Sequence, residues 1–378
     1  MMVNSQPPKK VVHLITDLIT AGAQNALLRL LQHIDPAEYK PIVIALRNGD
    51  TEIADKLKQM GVTVIDLKML PRWRLDKLVG LYFELRRQEP DILHCWMIHS
   101  NIIGRLVGRL AKVPRIIVSR RSDRNGSQWA TILNRWLVNW SDAIIAVSES
   151  TRQVELAETG TSPDRVITVP NGLDSTQFTR QISAKDRYGL RAELGYTDEH
   201  FVIGSVGRLV EAKGYPDLLS AFQKVAAEYS NARLIIVGKG KLQDELHQLA
   251  DELGITEKVE FPGVRTDIPQ ILNCFDLFAF SSHWEGMPNA LMEAMAAGLP
   301  CVATRVSAAP ELIDDGVHGC LVPPKAPDLL ADAMLEMIGD EPTRNRLAFN
   351  GQRKIAKEFT LEETAAKTVQ IYSDLLKK

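Results

Sequence analysis

The sequence predicts an α/β protein made of two successive doubly wound domains, and three observations lead there. The chain has 378 residues, more than one core of ordinary size absorbs. Short apolar runs rich in Ile, Val and Leu alternate with segments of helical pattern, at spacings that fit βαβ units and a parallel sheet covered on both faces. That alternation pauses once, in a polar stretch from Ser175 to His200, and then restarts.

Taken in order, the first half offers strands at Val11–Thr16, Pro41–Leu46, Val62–Leu67, Ile92–Trp96, Arg115–Ser119, Ala143–Val147 and Val166–Val169. Helical patterns such as Ala26–His33, Glu52–Met60 and Leu75–Gln88 lie between them. Pro170-Asn171-Gly172-Leu173-Asp174 is turn chemistry. The Ser175–His200 stretch reads as a linker with a short helical connector. Strands then recur at Val202–Val206, Leu234–Val237, Val259–Phe261, Leu277–Phe280, Cys301–Ala303 and Cys320–Val322. Their helices are Pro216–Tyr229, Lys241–Leu253, Ile268–Cys274, Pro288–Ala297 and Pro327–Ile338, several opening on Pro as a first helical turn permits. From Asn345 to Leu376 the tail is nearly all helix former, broken at Thr360, which can cap the second piece. The domains expected are residues 1–180, joined by a crossover helix over 360–378, and residues 181–359.

Composition narrows the function classes. Apolar residues make up 45% and charged residues 24%, with a formal net charge of −2, so no bulk signal for nucleic acid exists. No apolar run reaches the roughly 18 residues of a membrane span, and the N-terminus MMVNSQPPKK leads into too short an apolar run for a secretory leader. Cys95, Cys274, Cys301 and Cys320 are scattered within apolar runs without metal spacing, as buried free thiols in a reducing compartment would be. A cytoplasmic location is therefore expected. Between Lys68 and Arg124, 13 basic residues meet 5 acidic ones. Within that excess, Leu70-Pro71-Arg72-Trp73-Arg74-Leu75-Asp76-Lys77-Leu78 mixes bases with an aromatic residue, a pattern suited to an anionic membrane surface and equally to a solvated helix face.

Ligand chemistry concentrates at strand ends in the second half. The Val202–Val206 strand ends in Gly207 and releases Arg208 and Lys213 into a loop. Two cations five positions apart can clamp a diphosphate, one with a planar fork and one with a point charge. Phe261-Pro262-Gly263-Val264-Arg265 ends another strand in a loop that could edge a base. Glu285 and Glu293 stand eight positions apart in HWEGMPNALMEAM, one before a helix start and one inside the helix. Carboxylates on either side of a helix N-terminus can hold neutral hydroxyls beside a bound phosphate. In the first half, Gly22 sits in a small-residue loop after the first strand, and His99 lies just beyond the Ile92–Trp96 strand. His94, inside that strand, reads as a core histidine. Asn101 reads either as a helix cap or as a sugar contact. Arg120, Arg121 and Arg124 read as phosphate contacts or a solvated rim, and Ser148 as a cap.

The segments GRLVEAKG, VGKG, FPGVRTDIP, SSHWEGMPNALMEAMAAGLPCVAT and PELIDDGVHGCLVP, in this order and spacing, resemble the nucleotide-binding half of the retaining family 4 glycosyltransferases (glycosyltransferase group 1) with the GT-B fold. That resemblance implies two Rossmann-like domains facing a central cleft, with the last helix crossing back to the first. It implies that Arg208 and Lys213, beside Gly207, bind the donor diphosphate, and that Glu293 accepts from the ribose hydroxyls. Glu285 would hold the transferred sugar with the backbone amides of Gly286 and Met287, and Val264 and Arg265 would lie along the base. Gly22 would approach the donor phosphate, and His99 would serve in the acceptor loop. One departure is Val306-Ser307-Ala308-Ala309-Pro310-Glu311, where the family commonly has a glycine pair before Pro-Glu.

The function expected is a hexosyltransferase that moves a sugar from a nucleotide-diphosphate donor, UDP first and GDP-mannose next, to a hydroxyl of a surface polysaccharide, lipopolysaccharide or lipid-linked glycan. The resemblance implies retention of configuration; a front-face mechanism is expected because no residue is placed as an obvious double-displacement nucleophile, and independence from metal because no Asp-x-Asp-type pair is present. No cofactor is expected. Peripheral contact with the inner face of an anionic membrane follows from such acceptors. The competing reading is a non-catalytic nucleotide-sugar-binding subunit of a glycan synthesis complex. A two-Rossmann oxidoreductase is disfavoured because neither half has a G-x-G-x-x-G turn with an acid about 20 residues on.

Overall fold

The computed structural model describes residues 7–69, 75–124, 128–178 and 184–377. The chain divides into two compact units, one running to Gly172 and completed by the segment from Leu361, the other spanning Leu173–Thr360. The division falls before residue 180 because Leu173 already belongs to the second unit, where its backbone N–H donates to the Phe359 carbonyl at 2.8 Å.

In the first unit the strands are β1 (Lys9–Ile15), β2 (Tyr39–Ala45), β3 (Thr63–Asp66), β4 (Ile92–Trp96), β5 (Arg115–Arg120), β6 (Ala143–Ala146) and β7 (Val166–Thr168). Among the described residues they form a parallel sheet in the order β3-β2-β1-β4-β5-β6-β7. The helices are α1 (Gly22–Gln32), α2 (Glu52–Gln59), α3 (Leu75–Gln88), α4 (Ile98–Leu110), α5 (Gln128–Leu137) and α6 (Glu149–Thr159). β1 shows why the strands read as unbroken apolar runs. Val11 and Ile15 enter one core with Leu27 of α1 and Leu57 of α2, while Val12 and Leu14 enter another with Leu81 of α3 and Ile103 of α4. Side chains alternate between faces, and here both faces are dry.

In the second unit α7 (Ala184–Glu193) precedes β8 (Phe201–Val206), α8 (Tyr215–Glu228), β9 (Ala232–Val237), α9 (Gln243–Glu252), β10 (Val259–Glu260) and α10 (Ile268–Leu272). Then come β11 (Leu277–Phe280), α11 (Asn289–Ala296), β12 (Cys301–Thr304), α12 (Ala309–Leu312), β13 (Cys320–Val322), α13 (Pro327–Gly339) and α14 (Glu341–Glu358). The sheet order among the described residues is β10-β9-β8-β11-β12-β13, all parallel.

Two expectations are adjusted. The helical connector is an integral part of the second unit: Arg187 donates to the Asp276 carboxylate at 2.7 Å, and the buried Arg191 pairs with the same carboxylate and donates to the Cys274 carbonyl at 3.0 Å. The first tail helix begins at Glu341 and not at Asn345, because the Asp340 side chain caps it by accepting from Thr343 N at 3.0 Å.

The last helix, α15 (Leu361–Lys377), packs into the first unit, as the resemblance implied. Ala365, Ile371, Tyr372 and Leu375 enter the core of α1 and α2, and the Leu375 carbonyl accepts from Arg115 Nε at 2.7 Å.

Candidate functional site

The second sheet reverses its order between β8 and β11, and in open α/β sheets ligands gather off the carboxyl ends of strands at such a reversal. The loops leaving those two strands carry the expected donor residues. Gly207 follows β8. A Cβ there would stand 2.9 Å from Tyr215 Oη and 3.2 Å from Lys213 Cε, so a side chain at this position would press on the lysine stem. A 3-10 turn over Glu211–Lys213 closes at Gly214 with φ of +59°. A Cβ on Gly214 would fall 2.2 Å from the Ser281 carbonyl oxygen, which is backbone of the loop after β11.

Three hydrogen bonds then fasten the two loops together. Ser281 Oγ donates to the Lys213 carbonyl at 2.8 Å, His283 N donates to the Ala212 carbonyl at 2.8 Å, and the His283 ring meets the Asp217 carboxylate at 2.8 Å. This fastening brings Lys213 Nζ onto Glu285 Oε1 as an ion pair between side chains that are both mostly buried. Ser282 Oγ donates to the same carboxylate oxygen at 2.9 Å, and Glu285 N donates to Ser307 Oγ at 2.9 Å. Lys213 Nζ also lies 5.8 Å from the Phe280 ring centroid. The structure thus joins a cation and a carboxylate that are 72 residues apart in sequence. Ser307 stands in the segment that departs from the family's glycine pair, and its φ of +48° is the backbone setting glycine would otherwise supply.

The remaining donor-side residues take separate positions. Arg208 is exposed on the loop after β8. Gly286 and Met287 are buried in the turn before α11, which starts after Pro288, and Glu293 is half-buried inside that helix. Val264 is 66% exposed, open to a ligand on the loop after β10. Arg265 beside it is clamped by Asp267 through bonds of 2.8 and 2.6 Å, so its guanidinium is already committed to a carboxylate.

In the first unit the order reversal lies between β1 and β4, and Gly22 and His99 lie beyond the ends of those strands. Gly22 is the exposed first residue of α1. His99 is exposed near the start of α4, and its pKa is lowered by partial desolvation and by the Arg47 guanidinium, with Asp17 opposing. The neutral imidazole is therefore favoured. Asp17 organises this corner: it lies 3.7 Å from Arg47 and accepts from Gln24 Nε2 at 2.8 Å.

His94 is a satisfied core residue, bonded at 2.7 Å to Tyr372 Oη of α15 and at 2.8 Å to Ser119 Oγ. Asn101 is not a cap; it sits inside α4 and donates to the Ser119 carbonyl at 2.9 Å. Arg120 is withdrawn from ligand contact, since it is buried and pairs at 2.7 Å with both Glu155 and Glu158. Arg121 stacks 5.1 Å from the Trp96 ring and bonds Asn171, and burial pushes its pKa down to about 10. Ser148 caps α6 by accepting from Thr151 N at 3.1 Å. Of the basic-aromatic segment Leu70–Leu78, residues 70–74 lie outside the described residues.

Sequence reasoning missed Asp17, Ser282, Ser307 and the His283–Asp217 pair. Ser282 had a signal, standing three positions before Glu285. The other partnerships join separate loops and have no local signature.

Comparison with known proteins agrees with this layout. The family model for glycosyl transferases group 1 matches residues 186–354, and that for glycosyltransferase family 4 matches residues 20–177. The chain is 24% identical over 388 residues to the Escherichia coli UDP-Gal:alpha-D-GlcNAc-diphosphoundecaprenol alpha-1,3-galactosyltransferase, covering 97% of each. It is 27% identical over 324 residues to the lipopolysaccharide core biosynthesis mannosyltransferase LpsB of Rhizobium meliloti, covering 82% of this chain and 87% of that protein. Its fold matches HepE of Anabaena, solved in complex with UDP and glucose, with a TM-score of 0.87 at 23% identity over 97% of this chain and 100% of that one. The chain is a glycosyltransferase and belongs to family 4, group 1, of the GT-B fold.

Proposed function

We propose that this glycosyltransferase moves a hexose from a UDP-sugar to a hydroxyl of a lipid-linked or lipopolysaccharide glycan at the cytoplasmic face of a membrane, with GDP-mannose the next donor to consider. The observation that carries the donor half is the Lys213–Glu285 pair, seated by Ser282 and Ser307 where the sheet reverses its order. A diphosphate draws Lys213 and Arg208, and sugar hydroxyls replace the ammonium as donors to Glu285. Glu293 takes the ribose hydroxyls, the amides of Gly286 and Met287 face the donor, and Val264 and Arg265 flank the base. Gly22 and His99 serve the phosphate and the acceptor from the first unit. The acceptor and UDP assignments are supported by what the similar proteins are named for: UDP with glucose, and undecaprenol-diphosphate or lipopolysaccharide glycans.

The reaction proposed is a front-face displacement with retention. The bond from the anomeric carbon to the β-phosphate oxygen breaks while the acceptor oxygen bonds to that carbon on the same face. The acceptor's proton passes to the departing phosphate oxygen. Charge grows on the diphosphate, and the cations drawn to it when the donor binds stabilise that charge in the transition state; turnover is expected to persist in EDTA.

The test is a panel of UDP-, GDP- and ADP-sugars read by thermal shift and by turnover, with the product's anomeric configuration assigned by NMR. A rise in melting temperature and turnover with UDP-sugars supports the reading. Binding and turnover by none of the panel overturns it, and an inverted product overturns retention.

A further inference from the structure

In the helical layer formed by α3, α4 and α5, one face of α5 is committed to the core. Ala130 and Leu137 pack with Ile98 and Ile102 of α4. Asn134 between them accepts from the buried Arg105 at 2.6 Å and donates to the buried Glu155 at 3.1 Å. These bonds hold α5 in one orientation. The face beside it is apolar as well. Trp129 and Trp136 are 77% and 79% exposed, Leu133 lies between them on the same stripe, and Trp140 follows in the next turn. On the neighbouring α4, Leu106 and Leu110 are 37% and 70% exposed, and Arg109 of that helix donates to the Trp140 carbonyl at 3.0 Å. A helix that is apolar on both faces requires a second cover, and contiguous exposed apolar side chains mark an interaction surface.

Charge identifies the cover. Of the eight Lys and Arg in residues 98–140, Arg109, Lys112, Arg124 and Arg135 are exposed, and the single acid there is Asp123. Neither α4 nor α5 has an acidic residue in its first turn, and Arg135 adds an exposed base on α5 itself. A second copy of this chain meeting the same face would set base against base. An anionic lipid surface meets both demands. Tryptophan rings settle at the headgroup level with their apolar bodies immersed, and flanking bases pair with lipid phosphates. Among the described residues no helix is long and apolar enough to cross a membrane, so contact through this face lies on the bilayer.

We propose that the Trp129–Trp136 face of α5, with Leu106 and Leu110 of α4, docks the enzyme on an anionic membrane surface. This deepens the reading of a lipid-linked acceptor and assigns the contact to a segment other than the basic-aromatic one at residues 70–78.

The experiment is co-sedimentation of the full chain with phosphatidylcholine vesicles, with and without phosphatidylglycerol. Binding is expected only with the anionic lipid. The double variant Trp129→Ser/Trp136→Ser is expected to partition at least about tenfold less, and Arg135→Gln/Lys112→Gln about fivefold less for each base removed. All these positions are exposed, so melting temperatures and donor turnover with a water-soluble acceptor stay unchanged. Equal vesicle binding by wild type and the Trp double variant overturns the proposal, as does no binding by the wild type. It is also overturned if the Trp variant instead converts a wild-type dimer to a monomer. Loss of vesicle binding with donor turnover retained supports the surface. Failure of donor turnover in every protein would overturn the transferase reading and leave the surface standing.

Discussion

Lys213 touches a carboxylate, an aromatic ring and a glycine, and each contact has a consequence. Its partner Glu285 is positioned by Ser282 and Ser307, which keeps the cation at the carboxylate in the absence of a donor. Lys213→Ala and Arg208→Ala are each expected to lower kcat by about 10²–10³ with a smaller change in KM, since leaving-group charge develops in the transition state. Steady-state kinetics decides this: a normal kcat with a raised KM would assign both cations to ground-state binding. Two other residues set a pH response. Burial pushes the His13 pKa down to about 3 and holds His94 well below the usual histidine value. The unfolded chain takes up these protons near pH 6.5 and the folded chain does not. Below that pH the unfolded state binds more protons, so stability falls as pH is lowered, by about 1.4 kcal/mol per pH unit for each histidine. For His13 the loss continues toward pH 3. Urea titrations at pH 7, 6 and 5 measure the slope, and His13→Gln should flatten it.

At the scale of elements, α7 depends on one acid. Asp276 accepts from Arg187, Arg191 and the backbone N of Val202, tying α7 to β8 and β11. Asp276→Ala leaves the buried Arg191 without its carboxylate and is expected to cost the second unit about 3 kcal/mol, read as a lower urea midpoint at constant slope. The turn into α8 makes a different demand. Gly214→Ala adds a Cβ where backbone occupies the space, at a φ that side chains rarely adopt. It should loosen the two fastened loops and weaken donor binding about tenfold or more, a change of at least about 1.4 kcal/mol, measured by titration with UDP.

For the molecule as a whole, the last helix is part of the first unit's core. Tyr372 is fully buried and bonded to His94, and it shares the cluster of α1 and α2. Truncation after Thr360 removes that layer and is expected to yield a chain whose first unit no longer unfolds cooperatively, seen as loss of one thermal transition. Tyr372→Phe isolates the hydrogen bond and should cost about 1–3 kcal/mol through the stranded imidazole nitrogen.

Much of this architecture was legible in the chain. Both sets of strands could be placed because each is a near-continuous apolar run, which a sheet buried on both faces demands. Gly207, Lys213, Glu285 and Glu293 could be placed because strand ends, turn residues and a Pro-marked helix start are local signals. Where a residue's outcome depends on partners far along the chain, local signals fall silent. The withdrawal of Arg120 into a pair with Glu155 and Glu158, the commitment of Arg265 to Asp267 and the fastening of the Lys213 and Glu285 loops through Ser281 and His283 were decided by tertiary structure. So was the exposure of Trp129 and Trp136, since the sequence around α5 is apolar on two faces and does not say which one the core will take. Periodicity reports that a side chain is apolar or charged; only packing settles which neighbour meets it.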